Sequence, residues 1–155
     1  MPSAISAANA FLDLARREGR ALTNMQLQKL VYIAHGYCLA KLKTPLFYNN
    51  VHAFEWGPVI PTLYKQLQQY GAEEVKNYIS IDEPPISPNS PEMEIISEVW
   101  NDYKEASGLE LSNRTHRPGS PWSETWRANQ FGVIPDELIA RYYRQHMHER
   151  FASQP

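Results

Sequence analysis

The chain has 155 residues, enough for one domain that buries its own core without disulfides or structural metals. Its 15 basic and 17 acidic residues leave a formal net charge of −2 with no block of like charges, which excludes a non-specific electrostatic grip on nucleic acid. A single cysteine excludes an internal disulfide. No apolar run reaches the roughly 18 residues of a membrane span, and no basic segment with an apolar core opens the chain, so a cytoplasmic protein is expected.

The first predicted helix covers Ser3–Arg17, with Ser3 as N-cap, Ile5, Ala8, Leu12 and Ala15 on one stripe, and Gly19 at its C-terminal turn. Leu22–Leu42 is the most regular stretch. Thr23 and Gln26 stand at capping-box spacing. Leu27, Leu30, Val31, Ala34 and Cys38 recur at three- and four-residue steps, so the spacing predicts an amphipathic helix with one apolar face. Gln28, Lys29 and Lys41 fall off that face. Cys38 lies on it and reads as a buried, inert thiol. Thr44-Pro45 ends the helix.

Leu46–Trp56 changes character, with Asn49-Asn50 as a turn between aromatic and β-branched residues, and predicts one or two short extended segments. Gly57-Pro58 breaks the chain, and Pro61 opens a helix whose inner face is Val59 or Ile60 with Leu63, Leu67 and Tyr70, closed by Gly71. Tyr78–Ile81 alternates like a short strand able to pair with Val51–Phe54. Pro84, Pro85, Pro88 and Pro91 make residues 82–91 a mobile, proline-rich surface loop. Ser90-Pro91-Glu92 starts a helix with Ile96, Val99, Trp100 and Tyr103 inside, ended by Gly108. Leu109–Thr115 is a short helix, His116–Pro121 a loop, and Ser120-Pro121-Trp122 begins another helix running to about Trp126. Gly132 breaks the chain again. Pro135–Phe151 is the last helix, with Leu138, Ile139, Tyr142 and His146 or Met147 on one side, and Ala152–Pro155 frays. The fold class is mostly α: a single compact helical domain over 1–155, of about six helices, with a small accessory β element.

The five histidines are scattered. His146 and His148 point to different sides of one helix, and no H-E-x-x-H or C-x-x-C occurs, so no metal site is expected. His35 and Cys38 could face each other, but an apolar stripe does not activate a thiol. There is no G-x-S-x-G and no glycine-rich phosphate loop, and neither a cofactor nor a catalytic residue is assigned. Glu55, beside Trp56 and the Gly57-Pro58 turn, could be a general base, and His116 an acid or base. Packing and capping roles account for both more simply. Nine tyrosines and four tryptophans are many for a chain of this size, and such residues concentrate at interface hot spots.

Three blocks carry a resemblance. Gln26-Leu27-Gln28-Lys29-Leu30-Val31-Tyr32, then Glu55 to Pro61, then Leu111 to Trp122, resemble in order and spacing the Panacea domain of SocA-like antitoxins, also called phage-associated or GepA-like proteins. That family's pattern is a K-L-Q-K-L-L-Y-like helix, an acidic-aromatic-G-P-V-x-P turn and a closing L-S-x-x-T-H-x-x-x-S-P-W. The likeness extends over about Ile5 to Tyr143. Gln26 stands where the family often has lysine, and Phe54 where it often has alanine. The resemblance implies a non-enzymatic antitoxin encoded beside a toxin in phages and mobile elements, neutralising a cognate toxin by direct protein–protein binding. For the SocA branch it implies a proteolytic adaptor that delivers the toxin to a bacterial AAA+ protease. The motif positions that could meet a partner are Gln28, Lys29, Tyr32, His35, Glu55, Trp56, Gly57, Pro58, Pro61, Tyr64, Thr115, His116, Ser120, Pro121 and Trp122.

The contact surface is expected near Trp56, Tyr64, Trp122 and Trp126. The Gln28, Lys29, Tyr32 and His35 edge of the central helix is expected to be its exposed side, on which the two proline-bearing blocks dock; Gln28→Ala should then leave the fold intact. Two rival readings remain. A small-molecule binder or enzyme would need Glu55 and His116 to converge in one pocket. A DNA-binding autoregulator is disfavoured by the net charge and by the lack of a basic recognition helix. The sequence does not fix the oligomeric state.

Overall fold

A helix buried along most of its length sits at the centre of the computed structural model, which describes residues 1–148. Helix α2 (Asn24–Lys41) opens with a complete capping box: the Thr23 side chain accepts from the Gln26 amide and the Gln26 side chain accepts from the Thr23 amide. Every residue from Leu27 to Cys38 is buried. The expected single apolar face is therefore corrected to burial all round. The reason is neighbours on every side: α1 (Ala4–Arg17), α3 (Pro61–Leu67), α4 (Pro91–Tyr103), α5 (Gly108–Thr115), α7 (Asp136–His146) and strand β2 (Gly57–Val59) all touch α2. Gln28, Lys29, Tyr32 and His35 are covered by these elements and form no exposed edge.

Each neighbour begins or ends as its residues dictate. Ser3 caps α1, and Gly19 takes a φ of +70° just past its end. The small buried faces of Ala4, Ala7, Ala8 and Ala15 let α1 approach the core closely. Ser90 and Ser120 each cap a helix whose first residue is proline, α4 and α6 (Pro121–Ala128). Gly108 opens α5 under a Ser107–Glu110 capping box, whereas the sequence placed it at the end of α4, which stops at Tyr103. The final helix ends at His146, not at Phe151. The expectations for residues 149–155 lie outside the described residues. Among the described residues seven α-helices stand where about six are expected.

The β element is a hairpin of β1 (His52–Phe54) and β2, antiparallel, with Phe54 opposite Gly57. The strand expected at Tyr78–Ile81 does not form. Its intended place beside β1 is taken by 131–134: the Ala53 amide donates to the Gly132 carbonyl at 2.8 Å and the Phe131 amide to the Ala53 carbonyl at 2.9 Å. Ile79 instead lies along α1, where the Asn9 side chain accepts from its amide and donates to its carbonyl, at 2.7 and 2.9 Å. One amide side chain thus replaces a strand partner. The 82–91 loop is tethered at Glu83, whose carboxylate accepts from the Ser3 amide, the Ser3 hydroxyl and the Ser6 hydroxyl. The Ser6 bond comes first among the causes that hold this carboxyl below the usual range.

Helix α7 closes the core. Its Tyr143 ring lies against Gly36 so tightly that a Cβ there would stand 2.3 Å from the ring. Gly36→Ala is therefore expected to cost about 1–3 kcal/mol by overpacking, read as a lower urea midpoint. Leu30 is 1% exposed in the centre of α2. Leu30→Asp buries an unpaired carboxylate and is expected to abolish cooperative unfolding by circular dichroism.

Candidate functional site

The hairpin turns on Glu55-Trp56, and side chains from three helices fasten the backbone on both sides of that turn. Trp122 of α6 donates its indole N–H to the Phe54 carbonyl at 2.6 Å. Ser112 of α5 donates its hydroxyl to the Trp56 carbonyl at 2.7 Å. Lys29 of α2 donates from Nζ to the Pro58 carbonyl at 2.9 Å, and Gln28 accepts from the Ile60 amide at 2.9 Å. The three sequence blocks therefore meet at one place: the hairpin of the second block is bonded to Gln28 and Lys29 of the first and to Ser112 and Trp122 of the third. Gly57 has φ +120°, which favours glycine, and a Cβ there would stand 3.1 Å from Lys29 Nζ and 3.5 Å from Thr115 Oγ1.

The remaining block residues support this arrangement from behind. Thr115 bonds its own helix at the Leu111 carbonyl, and His116 lies edge-on to Trp122 with its Nδ1 on the Ser112 carbonyl. Ser120 and Pro121 set the start of α6, which carries Trp122. Pro58 is buried, and Pro61 opens α3 and so aims Tyr64. Tyr32 and His35 serve another part of the core. Tyr32 meets Tyr143 edge-on. His35 accepts from the Leu46 amide at Nδ1, stacks on Phe47 and pairs through Nε2 with Asp136 at 2.8 Å. An acceptor Nδ1 leaves Nε2 as the N–H donor to that carboxylate.

On its outer side the hairpin borders a groove of about 650 Å³ lined by Met25, Phe54, Glu55, Trp56, Val59, Tyr64 and Phe131, with Asn24, Gln28 and Lys29 from α2. Trp56 is 67% exposed, Phe131 55% and Tyr64 42%. Trp122 and Trp126 are half-buried: the two indoles stack at 5.4 Å and Phe131 packs edge-on to Trp126. Phe131 and Met25 went unnoticed in the sequence. Phe131 stands at φ +65° just before Gly132, and an aromatic residue in a tight break was the available signal. Glu55 lines the groove, and His116 does not line it.

Lys29 is the unusual charge. It is 3% exposed and forms no ion pair with a described carboxylate. Burial pushes its ammonium down to about 8. Cys38 is buried and its thiol is pushed up to about 12 by burial, consistent with an inert core residue. Among the described residues no group of three or more His, Cys, Asp or Glu side chains could hold a metal ion. Among the described residues no helix is long and apolar enough to cross a membrane.

The site is thus a pinned turn that presents aromatic side chains beside a groove. The chain belongs to the family described as Antitoxin SocA-like, Panacea domain, which matches residues 27–123. It is similar to Antitoxin SocA of Caulobacter vibrioides (strain NA1000 / CB15N), at 30% identity over 123 residues, covering 74% of this chain and 65% of that protein. This chain thus spans somewhat under two thirds of that relative's length. No solved structure matches it significantly.

Two outcomes test the interior of the site. Gln28→Ala strands the buried Ile60 amide, so it is expected to cost about 1–3 kcal/mol in urea denaturation rather than to be silent. For Lys29 the folded value of about 8 lies below the ordinary 10.5. Between these values the unfolded chain holds the extra proton, so stability rises with pH there. Relative to Lys29→Met, the wild type is expected to gain on the order of 3 kcal/mol between about pH 7.5 and 10.5. A flat difference across that window would show an ammonium still in contact with water.

Proposed function

We propose that this protein is a non-enzymatic antitoxin that binds a cognate toxin protein directly, using the face around Trp56, Tyr64, Phe131 and Met25. The observation that carries this reading is a large exposed tryptophan on a turn whose backbone is already fastened by four side-chain hydrogen bonds. A preformed aromatic anchor loses little entropy on binding, which is where affinity is gained. Family membership supports the antitoxin role. The named relative supports it too. A standard interface takes about 800 Å² from each partner, and the groove with its aromatic rim would form the centre of such a patch. Motif residues beneath it, Gln28, Lys29, Ser112 and Trp122, act by holding the turn. Neither a membrane nor nucleic acid is part of this reading.

Co-expression with the product of the adjacent gene tests it. Restored growth and a complex on gel filtration are expected, and the absence of both rejects the reading. Trp56→Ala is expected to weaken the complex by about thirtyfold or more while changing urea stability by no more than about 0.5 kcal/mol. Delivery to an AAA+ protease is the finer form of the same proposal. It predicts that the toxin's half-life shortens when this protein is present and recovers when the protease is deleted. Simple masking leaves the half-life unchanged or longer.

A further inference from the structure

Lys29 carries more than the turn requires. One of its three N–H groups satisfies the Pro58 carbonyl, and a neutral donor would do as much. Yet a positive charge stands on a side chain that is 3% exposed and lines an apolar groove, with no carboxylate among the described residues paired to it. Glu55 lines the same groove, but it is exposed and makes no ion pair with Lys29. The first turn of α2, which also lines the groove through Asn24 and Met25, contains no acidic residue. The partial positive charge of that helix end therefore goes uncompensated by its own first turn. Positive potential from two sources collects where the walls are aromatic and the dielectric is low, and there a single opposite charge counts for most.

We infer that the groove receives an acidic side chain of the partner protein, carried on an apolar segment, with its carboxylate on the Lys29 side of the floor and its apolar neighbours against Trp56, Tyr64 and Phe131. This rests on the antitoxin reading for the identity of the partner as a protein, and it adds the chemistry of the segment that docks. The alternative occupant of such a groove is a basic side chain, drawn by Glu55 and the faces of the aromatic rings. The buried charge decides against it: an incoming cation would meet the Lys29 ammonium, which cannot swing into water as the exposed Glu55 can. A bound carboxylate also pairs the buried Lys29 ammonium.

The test uses the full chain and three synthetic peptides, acetyl-Leu-Glu-Phe-amide and its Gln and Lys counterparts, titrated while the indole N–H resonances of the tryptophans are followed by NMR. The Glu peptide is expected to shift the Trp56 indole and to bind about tenfold or more tightly than the Gln peptide, with the Lys peptide weakest. In Lys29→Met, checked for cooperative unfolding, the preference for Glu over Gln is expected to vanish while residual apolar binding remains. Equal binding of the Glu and Gln peptides by the wild type overturns the inference without any variant. So does preference for the Lys peptide, and so does the absence of any shift at millimolar peptide. None of these results bears on growth rescue, so failure here and failure of the antitoxin reading are told apart.

Discussion

A helix enclosed on every side must find a partner inside the protein for each polar group it carries, and α2 meets that demand in two different ways. At its N-terminal half, Gln28 and Lys29 reach backbone atoms of the hairpin. Further along, His35 takes the Leu46 amide and Asp136, and Tyr37 donates to Asp102 at 2.8 Å. Each bond ties α2 to a different surrounding element, so the polar residues act as assembly instructions where a wholly apolar helix would pack in several registers. Tyr32 is the exception, with a buried hydroxyl that has no hydrogen-bond partner among the described residues. Burial pushes that phenol well above its ordinary value.

The local architecture was largely legible because it is written in short-range chemistry. Caps at Ser3, Thr23, Ser90 and Ser120, prolines at first helical positions and the Asn49-Asn50 and Gly57-Pro58 breaks are signals that act within one turn of chain. Burial of α2 was not legible, since Gln28 and Lys29 look like surface residues until the elements that cover them are known. The strand at Tyr78–Ile81 failed for a related reason. Alternation describes a pleated surface, and it is silent about whether a neighbouring edge is free; residues 131–134 occupied that edge.

The site divides along the same line. The three blocks could be read off the chain as one resemblance, but their common purpose, holding one turn, is a property of hydrogen bonds between residues far apart in sequence. Trp56 and Tyr64 stand beside a proline-bounded turn in the sequence, but the chain alone does not tell a packed Trp56 from the exposed one observed. Trp122 and Trp126 look equivalent in the sequence and are not, because α6 lies with its indoles toward β1 and Phe131. Glu55 and His116 separate for a simple reason: one faces the groove and the other packs behind it on Trp122.

Fastening the turn from so many places has a kinetic side. The bonds to Pro58, Ile60, Trp56 and Phe54 close loops of 29, 32, 56 and 68 residues. Long closures are paid late in folding, after local helices have formed. The aromatic face is therefore complete only when α2, α5 and α6 are all in place.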